Sequence, residues 1–464
     1  MKNIIYTLAA FLFLGMLTSA VNSFENKTLV VPPSTKTLEL PDDVEDYQVE
    51  IPVEMLEELS LWGFPDMTLI EQLDDDIATL GRVLFYDDRL SGDNSISCGS
   101  CHKQELSFAD NVALSDGIND NLTTRNSMAL NDLGWQLSTS FFWDFRTDGL
   151  ESAVLEPILA AHELGKEIPN LISKLEAASE YNQLFTAAYG HDEITEQKIA
   201  KALSHFIVSM TSFESKYDVG FSDGHSNFNE SELVGLALFQ ENCEFCHVAP
   251  HFGSADPFMF FIPGNNGLDS VYSDLGMGGW LSDPFFEGVF KSSSLRNIEV
   301  TAPYMHDGRF ETLEEVIDFY SDDVKHNENS AFFWMFGEDF TGYDFTDQEK
   351  EDLHNFLKTL TDQNLLTNSK WSDPWMLSTS TATPELANVS VYPNPVSDVV
   401  VVAFENNKQE TYDIQILDVS GKQIANFQTS ETILEVPRNN APAGVYKLIA
   451  SNGKEQKVFK LIYQ

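Results

Sequence analysis

Cysteine is almost missing from this chain, with four in 464 residues, at positions 98, 101, 243 and 246. None is left over for a structural disulfide, so stability has to come from packed cores, and the length with a 42% hydrophobic fraction allows two or three domains. Positive charge is scarce as well. Against 73 acidic residues stand 27 basic ones, a formal charge of −46, which excludes nucleic acid as a partner. Beyond the first twenty residues no run offers the ~18 continuous apolar residues of a membrane-spanning helix. The mature chain is therefore expected to be soluble.

The opening "MKNIIYTLAAFLFLGMLTSA" has a lysine, an apolar stretch from about Ile4 to Leu17 and small residues ending at Ala20. That layout predicts a cleaved signal peptide, 1–20, and an exported protein. Residues 21–60, with "VVPPSTK" and "LPDDVEDY", predict an extended acidic arm with little structure of its own. Between 60 and 370 helical spacing dominates, as in Leu171, Ile172 and Leu175, and then Ile199, Leu203, Phe206 and Ile207. The tail differs. From "WSDPWMLSTSTATPELANVSVYPNPVSDVVVVAF" onward a Ser/Thr-rich stretch gives way to alternating β-branched residues punctuated by "NP", "SG" and "NG", which predicts a small β-sandwich.

The four cysteines fall into two pairs, each followed by histidine: "CGSCH" (Cys98, Cys101, His102) and "CEFCH" (Cys243, Cys246, His247). This spacing lets two thiols add to the two vinyl groups of a haem while the adjacent imidazole ligates the iron. A single CxxCH is also compatible with a zinc half-site, a redox dithiol or chance. Two copies that use every cysteine, with no second ligand pair beside either, point to two covalently bound c-type haems. Both copies follow a Gly-x-x-Leu-Phe step, Gly81–Phe85 and Gly235–Phe239, so one module occurs twice. Before the second, Asn229 and Glu232 form a capping pair, and Leu233, Leu236, Leu238 and Phe239 supply an apolar face. A short amphipathic helix is expected to deliver each motif.

Over residues 70–362 the sequence resembles the bacterial dihaem cytochrome c peroxidase family, including its MauG branch. The stretches that carry the resemblance are "LGRVLFYDDRLSGDNSISCGSCHKQELSFAD", "RNSMALND", "FFWDFRTDGLESAVLEPILAAHELG" and "SLRNIEVTAPYMHDGRFETLEEVIDFY". The resemblance implies that His102 is the proximal ligand of the haem where peroxide reacts and His247 that of an electron-transfer haem. It puts Glu163 on the family's catalytic glutamate, where a carboxylate relays a proton between the peroxide oxygens, and Trp143 on the tryptophan between the haems. Many members carry a removable distal histidine 16 residues after the proximal one. Here that position is Ile118, which implies a site open in every oxidation state. A glutamine common ten residues before the glutamate is replaced by Ala153, and Phe145 stands where a glycine usually precedes Arg146.

The same resemblance gives Tyr320 as the distal ligand of the second haem, as in the MauG branch, in place of the methionine of the peroxidase branch. Met305 is then a packing residue, a buried core role for Tyr320 is the plainer alternative, and His306 and Arg296 lie near the second haem or its propionates. A calcium ion between the domains is implied through the Asn126 side chain and the backbone carbonyls of Thr301 and Pro303, an all-oxygen set that suits a hard cation. The tail resembles the sorting domain of the type IX secretion system in "VYPNPVSD", "LDVSGKQI" and "AGVYKLIA". A carbohydrate-binding or adhesion module of the same shape is the alternative.

The expected protein is mainly α, with two cytochrome c-like haem domains, 61–225 and 226–376, a linker at 377–386, and a small all-β sandwich at 387–464 that serves type IX secretion. Its expected activity is reduction of hydrogen peroxide to water, in the periplasm, at the cell surface or outside the cell, with electrons from a small donor protein such as a cytochrome c or cupredoxin. The acidic surface would either steer such a donor or only confer solubility. The alternatives are a MauG-like oxidase of a protein or organic substrate and a noncatalytic dihaem electron carrier. Family members are often homodimers.

Overall fold

In a computed structural model the described residues run from 36 to 463, apart from 42, 60–66, 137, 254–263, 378–388, 394–395, 405–410, 418–422, 439–440, 443 and 453–455. The signal peptide and nearly all of the expected linker lie outside them. The chain divides into two compact units, a helical one that ends at Met376 and an all-β one from Leu377 onward. Among the described residues no helix is long and apolar enough to cross a membrane.

The helical unit repeats one packing motif. In its first half the helix Asp75–Phe85 crosses the helix Glu196–Val208, and in its second half Glu230–Asn242 crosses Asp347–Lys358. Each crossing is made at the glycine of the repeated step. A Cβ at Gly81 would lie 1.9 Å from the Ala202 carbonyl oxygen, and one at Gly235 would lie 2.0 Å from that of Asp352, so only glycine lets the backbones approach this closely. The phenylalanine of the step then anchors a three-ring cluster. Phe85 meets Phe206 and Phe108 at 5.3 and 6.1 Å, and Phe239 meets Phe356 and Phe252 at 5.2 and 5.4 Å.

Asn229 caps the helix Glu230–Asn242 as expected: its side chain accepts from the Glu232 N–H at 2.9 Å and Glu232 accepts from the Asn229 N–H at 2.7 Å. The apolar face differs from the expectation. Gly235 and Phe239 are buried but Leu233 is exposed, because the tight glycine contact, rather than the leucines, sets which side faces the core. This helix runs straight into Cys243, whereas twelve residues separate Phe85 from Cys98, which opens a single helical turn of its own, Cys98–Cys101.

The described part of the acidic arm, from residue 36 on, is not the structureless stretch expected: it holds a short strand, Lys36–Leu38, and a helix, and it packs into the core. Tyr47 and Met55 are buried, the Tyr47 N–H donates to Asp75, and the helix Val53–Leu59 follows. The end of the unit crosses back to the first half: the Trp371 indole donates to Ser209, that of Trp375 to the Val83 carbonyl, and Arg82 bonds the Ser369 and Ser372 carbonyls. Residues 365–375 thus complete the core around Asp75–Phe85.

The all-β unit pairs its strands antiparallel in two sheets. One has the order Val389–Tyr392, Val399–Phe404, Ile433–Pro437, and the other Gln456–Tyr463, Gly444–Ser451, Tyr412–Leu417, Gln423–Thr429. Alternation fixes the register, as Val400, Val402 and Phe404 point inward to meet Ile414, Ile416, Leu448 and Leu461 in one core.

Candidate functional site

Two cavities of similar size, about 1360 and 1350 Å³, open in the helical unit. The first is lined by Cys98, Cys101 and His102 and the second by Cys243 and His247. Both histidines are partly buried, and both are held through Nδ1. His102 donates to the Phe108 carbonyl at 2.7 Å, and His247 to those of Phe252 and Ser293 at 3.1 and 3.2 Å. A carbonyl can only accept, so Nδ1 carries the proton and Nε2 is left as the ligating nitrogen. Burial pushes the thiols up, to about 12 at Cys98 and Cys243 and about 11 at Cys101 and Cys246, the reverse of the activated thiolate that a redox dithiol needs. Paired thiols and a pre-oriented imidazole on the wall of a mainly apolar cavity fit a covalently held haem.

The walls opposite the histidines differ. In the first cavity Glu163 faces inward with Arg146, Arg125, Asp116, Ala153 and Pro157. Burial raises the Glu163 carboxyl above the ordinary range, while His162 and Arg146 pull it back, and His162 Nε2 lies 3.4 Å from its Oε1. Sequence reasoning passed over His162, although its place directly before Glu163 was the available signal. The glutamate's loop is latched from the main chain: the Ile118 N–H donates to the Glu163 carbonyl at 3.0 Å, and Gly117 fits because a Cβ there would sit 2.0 Å from the His162 carbonyl oxygen. Ile118 is buried against Gly92 and Gly165 and takes no part in the cavity wall. His102 is the only histidine among the residues lining this cavity.

Among the described residues no Asp or Glu lines the second cavity. Tyr320, Met305, Tyr343 and Asn266 do, and the Asn266 amide donates to the Tyr320 hydroxyl at 3.2 Å and lies 3.7 Å from the Met305 sulfur. Both candidate ligands therefore meet one amide. Burial drives the Tyr320 phenol well up, opposed by the Asn266 hydrogen bond. His306 lines this cavity and stacks on Phe290 at 3.8 Å. Arg296 does not line it. That guanidinium is fully buried in a paired contact with Asp218 at 2.8 and 3.0 Å and donates to the Ser212 and Pro250 carbonyls, so its charge is already neutralised elsewhere.

Trp143 belongs to both cavities, in a strip shared with Asn126, Ser127, Met128, Ala129 and Lys291. Its indole donates to the Asn126 carbonyl at 2.8 Å and its own carbonyl accepts from the Lys291 N–H at 2.7 Å. Phe145, at the position where glycine is usual, has φ +57°, so a bulky residue carries the left-handed backbone and is held there by Met277 and Val289. Asn126, Thr301 and Pro303 all line the second cavity, and the Asn126 amide nitrogen is turned to the Val112 and Ala113 carbonyls, which leaves its oxygen for another role.

A helical unit whose two cavities each carry a cysteine–histidine set and share Trp143 fits the class of haem oxidoreductases. Residues 75–227 match the family described as di-haem cytochrome c peroxidase, and residues 390–464 match the secretion system C-terminal sorting domain. The chain is 30% identical to the methylamine utilization protein MauG of Methylophilus methylotrophus, over 61% of this chain and 82% of that one, and 29% identical to the cytochrome c551 peroxidase of Nitrosomonas europaea, over 52% and 72%. A crystal structure of a MauG-like protein associated with microbial copper homeostasis superposes with a TM-score of 0.57 at 31% identity, covering 72% of this chain and 99% of that one. The chain belongs to the dihaem cytochrome c peroxidase and MauG family, and it carries a type IX sorting tail that marks it as exported.

Proposed function

We propose that the protein reduces hydrogen peroxide to water, one H2O2 with two protons and two electrons giving two H2O, the electrons arriving singly from an external donor through the second half of the helical unit. The haem at Cys98, Cys101 and His102 would supply the iron at which the O–O bond is cleaved. His102 holds that site from the proximal side. Glu163 takes the proton from the peroxide oxygen nearer the iron and returns it to the departing one, for which a carboxyl held above its ordinary range is well matched. Trp143 passes electrons between the halves, and Tyr320 completes the second site opposite His247. Asn126, with the Thr301 and Pro303 carbonyls, binds calcium and keeps the shared wall in register. The donor is a small basic protein, a cytochrome c or cupredoxin, met in the periplasm, at the cell surface or in the medium, and the working form is a homodimer.

One observation carries the reading. Glu163 and His102 face a common cavity, and Ile118, in the place of a removable histidine, is packed away from it. A second reading, peroxide-driven oxidation of a protein or organic substrate, is favoured by Tyr320 on the second cavity and by Ala153 on the first.

Low-temperature EPR of the ferric holoprotein, with and without peroxide, tests the proposal. One high-spin and one low-spin signal are expected, the high-spin signal lost with peroxide and retained in Glu163→Gln. Two low-spin haems inert to peroxide, even after one-electron reduction, would leave a carrier of electrons and no enzyme. Consumption of peroxide without oxidation of any one-electron donor, but with an altered organic substrate, would select the second reading.

A further inference from the structure

Lys291 is buried, yet among the described residues no carboxylate pairs with it. Its ammonium donates to two neutral acceptors, Gln136 Oε1 and the Ser140 carbonyl, each at 2.9 Å, and lies over the rings of Phe141 and Phe145 at 5.5 and 5.8 Å. In a chain with 73 acidic residues, a buried cation left without an anion is costly unless something else brings one. Burial alone lowers its pKa to about 7, and the buried His251, whose own pKa is lowered by burial and by the Arg296 and Lys291 charges, brings no anion to it.

The position is as telling as the lack of a partner. Lys291 lines both cavities and, among the described residues, is the only Lys or Arg on the second, whereas the first also has Arg125 and Arg146, each already paired with a carboxylate. Arg296, the cation that resemblance places near the second haem, is committed to Asp218. A haem bound at Cys243, Cys246 and His247 brings two propionates into a cavity whose described wall offers one basic side chain.

We propose that Lys291 is the haem-binding cation of the second cavity, pairing with a propionate of the haem attached there, and that it fixes that charge beside Trp143, to whose carbonyl its own N–H is bonded. A positive charge at the haem edge favours the ferrous over the ferric iron, so Lys291 raises the potential of the second haem and offsets an anionic ligand on the other face.

The test uses the holoprotein with both haems attached: spectroelectrochemical titration of parent, Lys291→Met, Lys291→Gln and Lys291→Arg. Covalent attachment at the cysteines keeps the haem in place, so the readout does not depend on turnover. The expected result is a fall in the midpoint potential of the second haem in the Met and Gln variants and a smaller shift in Lys291→Arg, with the first haem moved less. If Lys291→Met does not fold, Lys291→Gln, which can still bond Gln136, decides. A second-haem potential equal to the parent's in whichever neutral variant folds would overturn the proposal and assign Lys291 as a neutral amine of the wall. Because potentials are read without peroxide, loss of the peroxidase reading would leave this result untouched.

Discussion

The two halves of the helical unit hold the same device and aim it at different chemistry. Glycine-mediated helix crossing, a three-phenylalanine cluster and a histidine locked through Nδ1 recur almost residue for residue. Beyond the strip around Trp143 and Lys291 that both cavities share, the far walls differ. The first has a partly buried carboxyl beside an imidazole and two guanidiniums, able to move a proton, while the described wall of the second has phenols, a thioether and an amide, with no carboxylate. The two halves agree in the residues that hold the histidine and differ in the wall across the cavity from it.

The largest effect expected from breaking this contrast is at Glu163. Glu163→Gln should lower peroxide turnover by ~10²–10⁴-fold, the ordinary worth of a positioned acid and base, in steady-state assays with both haems loaded. An unaffected rate would erase the functional difference between the walls.

The shared scaffold should yield next. Gly81→Ala and Gly235→Ala each press a methyl into a backbone carbonyl and should cost ~1–3 kcal/mol in denaturant unfolding, the range for overpacked sites. Similar losses in the two would support equivalent crossings. A loss at only one would mean that the other half relaxes.

Tyr320→Phe sharpens the comparison on the second wall. Removing the hydroxyl forfeits one hydrogen bond from Asn266, ~1 kcal/mol, and should change the EPR and absorption of the second haem, while Met305→Leu should leave both spectra as they were. The opposite pattern would transfer ligation to Met305.

The smallest effect concerns pH. The Glu163 carboxyl is raised in the fold, so its stabilising contribution is present while it is protonated, at pH below the unfolded value, and disappears as pH climbs through the raised one. Glu163→Gln cannot ionise and should therefore gain stability relative to the parent between acidic and neutral pH, by the small margin of one partly buried group, in paired denaturation curves. His162→Ala, which removes a ring that pulls Glu163 down, should move the acid limb of the rate profile upward.

Much of this was legible in the sequence because it is local. The capping pair at Asn229, the strand alternation at Val400 to Phe404 and the helical spacing at Ile199 to Ile207 each depend on neighbours within a few residues. Less legible was the first arm, whose acidic composition hid Tyr47 and Met55 as core residues, and the return of Trp371 to Ser209 and of Trp375 to Val83, 162 and 292 positions earlier. The commitment of Arg296 to Asp218 also had no local signal, since the partners are 78 positions apart.

By itself the sequence determined how many haem sites there are and which side chains attach and orient them, because two cysteines and a histidine in five positions need only one turn of backbone to do so. It also determined the two classes of secondary structure, through periodicity. Only the tertiary structure decided what those sites face. Glu163 lines one cavity with His102, Tyr320 lines the other with His247, and Trp143 and Lys291 line both, because helices packed at two glycines bring together side chains that lie tens of residues apart along the chain.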